Sequence, residues 1–178
     1  MKKYGILLGC ALGVAGIGSS YAYDGTINFV GKVVDQTCSV KAGTDNLTVT
    51  LPTVSKTALD ADTKTASLTP FSIQLTGCAT GKADAGTVKA YFEPNATTDF
   101  NTGNLTNTGT AQNVQIQLLN ANGTTPIKLG QDISAQNVSG EAINGGDVTL
   151  RYNAQYYATG AADAGDVAAT VNYTVAYE

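Results

Sequence analysis

From Val88 onward, apolar residues recur at every second position in four runs: Val88, Ala90 and Phe92; Val114, Ile116 and Leu118; Val148, Leu150 and Tyr152; Val171, Tyr173, Val175 and Tyr177. A period of two sends successive side chains to opposite faces of a strand, so a chain written this way buries its apolar face by stacking sheets. Earlier residues mark further strands. Val33, Cys38 and Val40 mark an opening strand; Leu47, Val49 and Leu51 mark a second that ends at Pro52; Phe71, Ile73 and Leu75 mark a third running into Gly77 and Cys78. Turn residues punctuate these runs: Pro94 stops one, Ala121-Asn122-Gly123 turns Val114–Leu119 into a hairpin with Ile127 and Leu129, and Asp163-Ala164-Gly165-Asp166 precedes the last strand. Residues 95–111 read as a loop or edge segment, and 54–66 is the one stretch where a helical turn fits. The expected fold is all-β, an antiparallel Greek-key sandwich of immunoglobulin-like type. The chain has no Trp, which argues against a true immunoglobulin core.

The N-terminus places Lys2 and Lys3 before an apolar stretch from Ile6 to Ile17 and a small-x-small site at Ser20-Tyr21-Ala22. That is the pattern of a secretory signal peptide over residues 1–22, and the stretch is shorter than the roughly 20 apolar residues of a membrane span. Cleavage leaves a chain beginning at Tyr23, long enough for one domain. Cys10 leaves with the signal, so Cys38 and Cys78 remain alone in an oxidising compartment and are expected to pair. Losing two lysines and no carboxylate takes the formal charge from −4 to −6. An acidic surface of this kind argues against nucleic acid and against insertion into an anionic membrane.

The sequence contains no His, which removes the usual general base, the Ser-His-Asp arrangement and the commonest zinc ligand. No metal site, cofactor or phosphate-binding glycine loop is expected, and no enzymatic activity. Asp60 with Asp62, or Asp163 with Asp166, are the only carboxylate pairs to weigh for a glycosidase, and both read more simply as solvated turn residues. Tyr152, Tyr156 and Tyr157 crowd one strand. They suit either a sugar-stacking platform or the core and rim of a sandwich, and the second reading is the simpler.

The first mature residues, Tyr23 to Val33, alternate again. Gly25, Ile27, Phe29, Gly31 and Val33 share one face, and Asp24, Thr26, Asn28 and Lys32 the other, with Val30 as the exception. Such a strand wants an apolar groove, and no turn ties it to a neighbour. Asp35-Gln36-Thr37-Cys38 follows it; Phe71 to Gly77 precedes the second cysteine; Val88 to Pro94, Gly165 fourteen places from the end and a penultimate Tyr177 complete the pattern. In these features the chain resembles the subunits of chaperone–usher, type 1-like fimbriae, over nearly all of its mature length.

The resemblance implies an incomplete immunoglobulin-like sandwich with one disulfide, Cys38 to Cys78, and an open groove where a last strand is missing. It divides the chain into a signal peptide (1–22), an N-terminal donor strand (23–34) and a pilin-like sandwich (35–178). Gly25, Ile27, Phe29, Gly31 and Val33 would form the donor face inserted into the next subunit. Val171, Tyr173, Val175 and Tyr177 would lie on the edge strand that a periplasmic chaperone binds. The implied partners are identical or related fimbrial subunits, that chaperone and an outer-membrane usher, and the implied location is the cell surface, reached through the periplasm. A structural subunit of the fimbria, similar to the major-subunit family and supporting adhesion, is the leading expectation. A minor or adaptor subunit and a secreted sugar-binding adhesin are the alternatives.

Overall fold

The computed structural model describes residues 27–31, 33, 38–78 and 86–178. The chain divides into two units, Met1–Val33 and Val34–Glu178. In the first, the expected signal peptide and Gly25 lie outside the described residues, while Ile27, Phe29, Val30 and Val33 are exposed.

Among its described residues the second unit has nine strands: β1 (Ser39–Val40), β2 (Thr65–Cys78), β3 (Thr87–Glu93), β4 (Thr98–Asp99), β5 (Asn104–Thr106), β6 (Val114–Asn120), β7 (Glu141–Ala142), β8 (Gly146–Ala158) and β9 (Asn172–Tyr177). They form a six-stranded sheet in the order β1-β2-β8-β6-β5-β4 and a three-stranded sheet in the order β7-β3-β9. All pairings are antiparallel. The alternating residues of β2, β3, β6 and β8 meet in one core that contains Ile73, Leu75, Val88, Phe92, Leu118, Leu150 and Tyr152. Burying each such large side chain contributes roughly 1.5–3 kcal/mol. The Tyr152 ring packs edge-on against Phe92, with centroids 5.2 Å apart, and tilted against Phe71 at 5.7 Å. Aromatic side chains of both sheets therefore interlock at the centre.

Both faces of β6 are buried. Its polar face is covered because it is bonded: Gln115 Nε2 donates to Asp99 Oδ2 at 2.7 Å, and Gln117 Oε1 accepts from Gln155 Nε2 at 2.8 Å. A 3-10 turn, Lys56–Leu59, is capped by the Ser55 hydroxyl. It drops Leu59 into a second small cluster with Val114, Ala158 and Ala162.

Three expected strands differ. Residues 47–51, read as a strand on Leu47, Val49 and Leu51, carry no regular element and make no backbone–backbone hydrogen bond among the described residues. The alternation is present but the partner strand is not. Residues 126–129 form only an isolated bridge, Leu119 to Pro126, where a full hairpin arm was expected. The last strand begins at Asn172, leaving Val171 just outside the ladder.

Candidate functional site

The register of β9 decides which way its backbone groups point. Thr87 and Glu178 exchange both bonds, at 3.1 and 2.9 Å, and the register runs from Val88 opposite Tyr177 to Glu93 opposite Asn172. Because hydrogen-bonded and non-bonded pairs alternate in an antiparallel ladder, residues 172, 174 and 176 address β3 and residues 173, 175 and 177 address the opposite side. The same parity holds upstream of the strand. Asp166, Ala168 and Thr170 are bonded on the even side: Ala168 O accepts from Thr108 N at 2.8 Å, Asp166 O from Ala111 N at 3.0 Å, and Thr170 O from Asn95 Nδ2 at 2.8 Å. The backbone groups of Val167, Ala169, Val171, Tyr173, Val175 and Tyr177 have no hydrogen-bond partner among the described residues.

That unpaired edge borders a groove of about 1080 Å³. Residues 45–51 and 167–175 form its walls, and Phe71, Ile73, Phe92, Leu105, Ile116, Leu118, Ala154 and Tyr156 line it from the core. One wall therefore carries a free strand edge, and the other is the segment whose own alternation found no partner. Two tyrosines of β9 tie the sandwich together at this side. The Tyr173 hydroxyl donates to the Thr44 carbonyl at 3.3 Å, and the Tyr177 hydroxyl accepts the Cys38 N–H at 2.7 Å. Burial, reinforced by the Asp45 carboxylate, raises the Tyr173 phenol above its ordinary pKa, and burial alone does the same to Tyr156. Both hydroxyls remain protonated at physiological pH. At the C-terminus the buried Lys89 ammonium pairs with the Glu178 carboxylate, which adds an ion pair to the last residue's ladder bonds.

Cys38 and Cys78 are joined in a disulfide, which fastens the residue before β1 to the end of β2. Closing a loop of 40 residues removes unfolded-state entropy worth about 4 kcal/mol in the chain-entropy account. Tyr173, Val175 and Tyr177 stand on β9 and Val171 directly before it, all packed against the core. Of the alternating N-terminal residues, Ile27 is 77% exposed, Phe29 90% and Val33 100%, and a Cβ at Gly31 would meet nothing within 4 Å. Asp60, Asp62, Asp163 and Asp166 lie exposed outside the strands. Tyr152 is sealed in the core and Tyr156 belongs to the groove floor, so the tyrosines on β8 are split between two structural tasks.

Two parts of the site escaped the sequence. Val167 and Ala169 extend the odd-numbered apolar run four residues upstream of Val171, a signal present in the letters but masked by the alanine-rich stretch around them. The outer bonds of Asn95 and Asn107 have no periodic signature at all.

A family model described as "FimA: Type-1 fimbrial protein, A" matches residues 51–178. The chain is 59% identical over 181 aligned positions to the F17 fimbrial protein of Escherichia coli, covering 100% of both. It is 47% identical to the major fimbrial subunit SMF-1 of Stenotrophomonas maltophilia, over 88% of this chain and 94% of that one. Among solved structures, a chaperone–usher pilus structure concerned with rod uncoiling matches with a TM-score of 0.64 at 21% identity, over 86% of this chain and 95% of that one. The P pilus rod subunit PapA matches with a TM-score of 0.58 at 18% identity, over 79% and 99%. The structural matches share the fold, and the sequence matches reach across it from end to end: this chain belongs to the type-1 fimbrial protein family.

Proposed function

We propose that this chain is a structural subunit of a surface fimbria, and that the groove of each copy is filled by residues 25–33 of the next. The observation that carries this reading is the unpaired edge of odd-numbered residues, Val167 to Tyr177, beside an apolar groove. A strand laid there gains ladder bonds from the edge and buries alternate side chains on the floor, which is the logic of strand addition. Residues 25–33 have the matching pattern. Ile27 and Phe29 are long apolar side chains held in solvent, each offering roughly 1.5–3 kcal/mol on burial. Gly25 and Gly31 supply places on the same face where no side chain has to be accommodated.

An open strand edge next to uncovered core is an association hazard until another strand covers it. On this reading residues 1–22 direct export and are removed. A periplasmic chaperone covers Val171, Tyr173, Val175 and Tyr177 in transit, and an outer-membrane usher passes the subunit into a fibre that supports adhesion. Residues 23–34 are the donor segment and 35–178 the accepting sandwich. The test is a chain carrying Ile27→Asp with Phe29→Asp, examined by electron microscopy of the secreting cells. The expected result is a folded subunit and no fibres, because the donor strand belongs to the neighbour's core. Fibres of wild-type abundance would overturn the reading.

A further inference from the structure

Residues 166–170 run along the groove outside any sheet, yet their even-numbered backbone groups are almost fully bonded. The bonds come in large part from side chains. Asn107 makes four: Nδ2 donates to Ala111 O at 2.8 Å and to Asp166 O at 3.1 Å, and Oδ1 accepts Gly109 N–H and Ala168 N–H at 2.8 Å each. The Thr110 hydroxyl accepts Asp166 N–H at 2.9 Å. Asn95 reaches Thr170 O, as does the Thr97 hydroxyl at 3.3 Å. The two backbones approach so closely that a Cβ on Gly109 would lie 2.2 Å from Asp166 O, and one on Gly165 would lie 2.4 Å from Ala111 N. Asparagine thus stands in for a neighbouring strand.

From this we infer that Asn107 is a positioning residue for strand acceptance. By holding Asp166 and Ala168 on their even side it fixes the odd side, Val167, Ala169 and Val171, in register with β9 before any strand arrives. The inference rests on the groove being the acceptor site. An edge that is pre-formed binds in one step, whereas an edge formed only part of the time lowers the effective affinity by its competent fraction. The loss then falls on association, because a bound strand holds the edge by itself.

The experiment uses the full chain made unable to donate by Ile27→Asp and Phe29→Asp. A peptide of residues 23–34 is added, and association and dissociation rates are measured by fluorescence of a dye on the peptide. Asn107→Ala should slow association about tenfold and leave dissociation within about twofold. Asn107→Asp keeps both acceptor bonds and loses both donor bonds, so it should fall between Asn107→Ala and the parent. Asn120→Ala is the control. Asn120 is another multiply bonded asparagine, buried and joined to Thr125, Asn137 and Ser139 away from the groove. Its loss should weaken the fold without slowing association. Unchanged association in both Asn107 variants, or equal slowing in Asn120→Ala, would overturn the inference while leaving the groove reading intact. No peptide binding to the parent with Asn107 in place would overturn both.

Discussion

The side-chain amide of Gln136 binds the backbone of Phe92, 44 residues away, at both groups: Nε2 donates to the Phe92 carbonyl at 2.6 Å and Oε1 accepts the Phe92 N–H at 3.2 Å. Phe92 pairs with Tyr173 on one side, and the parity of that ladder turns its N–H and C=O away from β9. Two residues earlier the Tyr152 hydroxyl accepts the Ala90 N–H at 3.1 Å. β7 covers β3 only at Thr87 and Val88. Beyond it the outer edge of β3 is therefore closed by two side chains, while the outer edge of β9 is left open. The small sheet thus has one edge closed by side chains and one whose backbone groups are unpaired among the described residues.

Gln136 is fully buried, so Gln136→Leu leaves both Phe92 groups without a partner and without water. The expected cost is about 2–5 kcal/mol in urea unfolding of the purified subunit. Gln136→Glu should also destabilise, since its carboxylate faces the Phe92 carbonyl. Part of that loss should return on acidification, when the carboxyl regains a proton to donate. Equal losses for the two variants at every pH would refute the amide's double role.

Tyr177 joins the end of β9 to the disulfide through the Cys38 N–H. Tyr177→Phe keeps the ring and removes only the hydroxyl, which accepts the Cys38 N–H and faces the Cys38 carbonyl, an expected loss of about 0.5–1.5 kcal/mol. Tyr177→Ser also removes the packing against the core and should cost about 2–4 kcal/mol more. Exported subunit levels should follow the same order, measured by immunoblot of the periplasmic fraction. A Tyr177→Phe chain as depleted as Tyr177→Ser would mean that the hydroxyl, and not the ring, secures the strand.

Much of this was legible in the letters because strand periodicity and turn chemistry are local. The runs at Val114 to Leu118 and Val148 to Tyr152 are strands of the core sheet, and the segment near Lys56 is a helical turn. Leu47, Val49 and Leu51 show what periodicity cannot encode. The pattern says that a strand is intended, but whether a partner exists in the same chain is a property of topology. Asn95, Asn107 and Gln136 were unreadable for another reason. Asparagine and glutamine in polar loops are ordinary turn residues, and their bonding across 44 to 75 residues appears only once the chain is folded.

Gly165 is held by sterics, since a methyl group there would sit 2.4 Å from Ala111 N and 2.7 Å from Thr110 C, both backbone atoms with no rotamer to yield. Gly165→Ala should push residues 109–111 away from 165–166, break the Asp166 bonds to Thr110 and Ala111, and cost about 1–3 kcal/mol. Gly160→Ala is the comparison, because its Cβ would meet only the Asn113 side chain at 3.6 Å. That change should stay within about 0.5 kcal/mol. Equal melting temperatures for the two variants would show that the loop absorbs the methyl group.

Burial pushes the Tyr152 phenol from 10.0 up to about 12, opposed in part by its bond from the Ala90 N–H. A pKa higher in the folded state means that the fold favours the protonated phenol. Its contribution is complete below pH 10 and is lost as pH rises toward 12. The full difference corresponds to roughly 2–3 kcal/mol, of which about 1 kcal/mol is gone by pH 11. Tyr152→Phe removes this titration but leaves the Ala90 N–H without its acceptor, so below pH 10 the variant should be less stable by about 1–3 kcal/mol. The gap between parent and variant in urea unfolding should therefore narrow from pH 9 to pH 11. Lysines and the other tyrosines titrate in both chains and cancel in the difference. A gap that stays constant across that range would mean that the Tyr152 phenol ionises as readily in the folded chain as in the unfolded one.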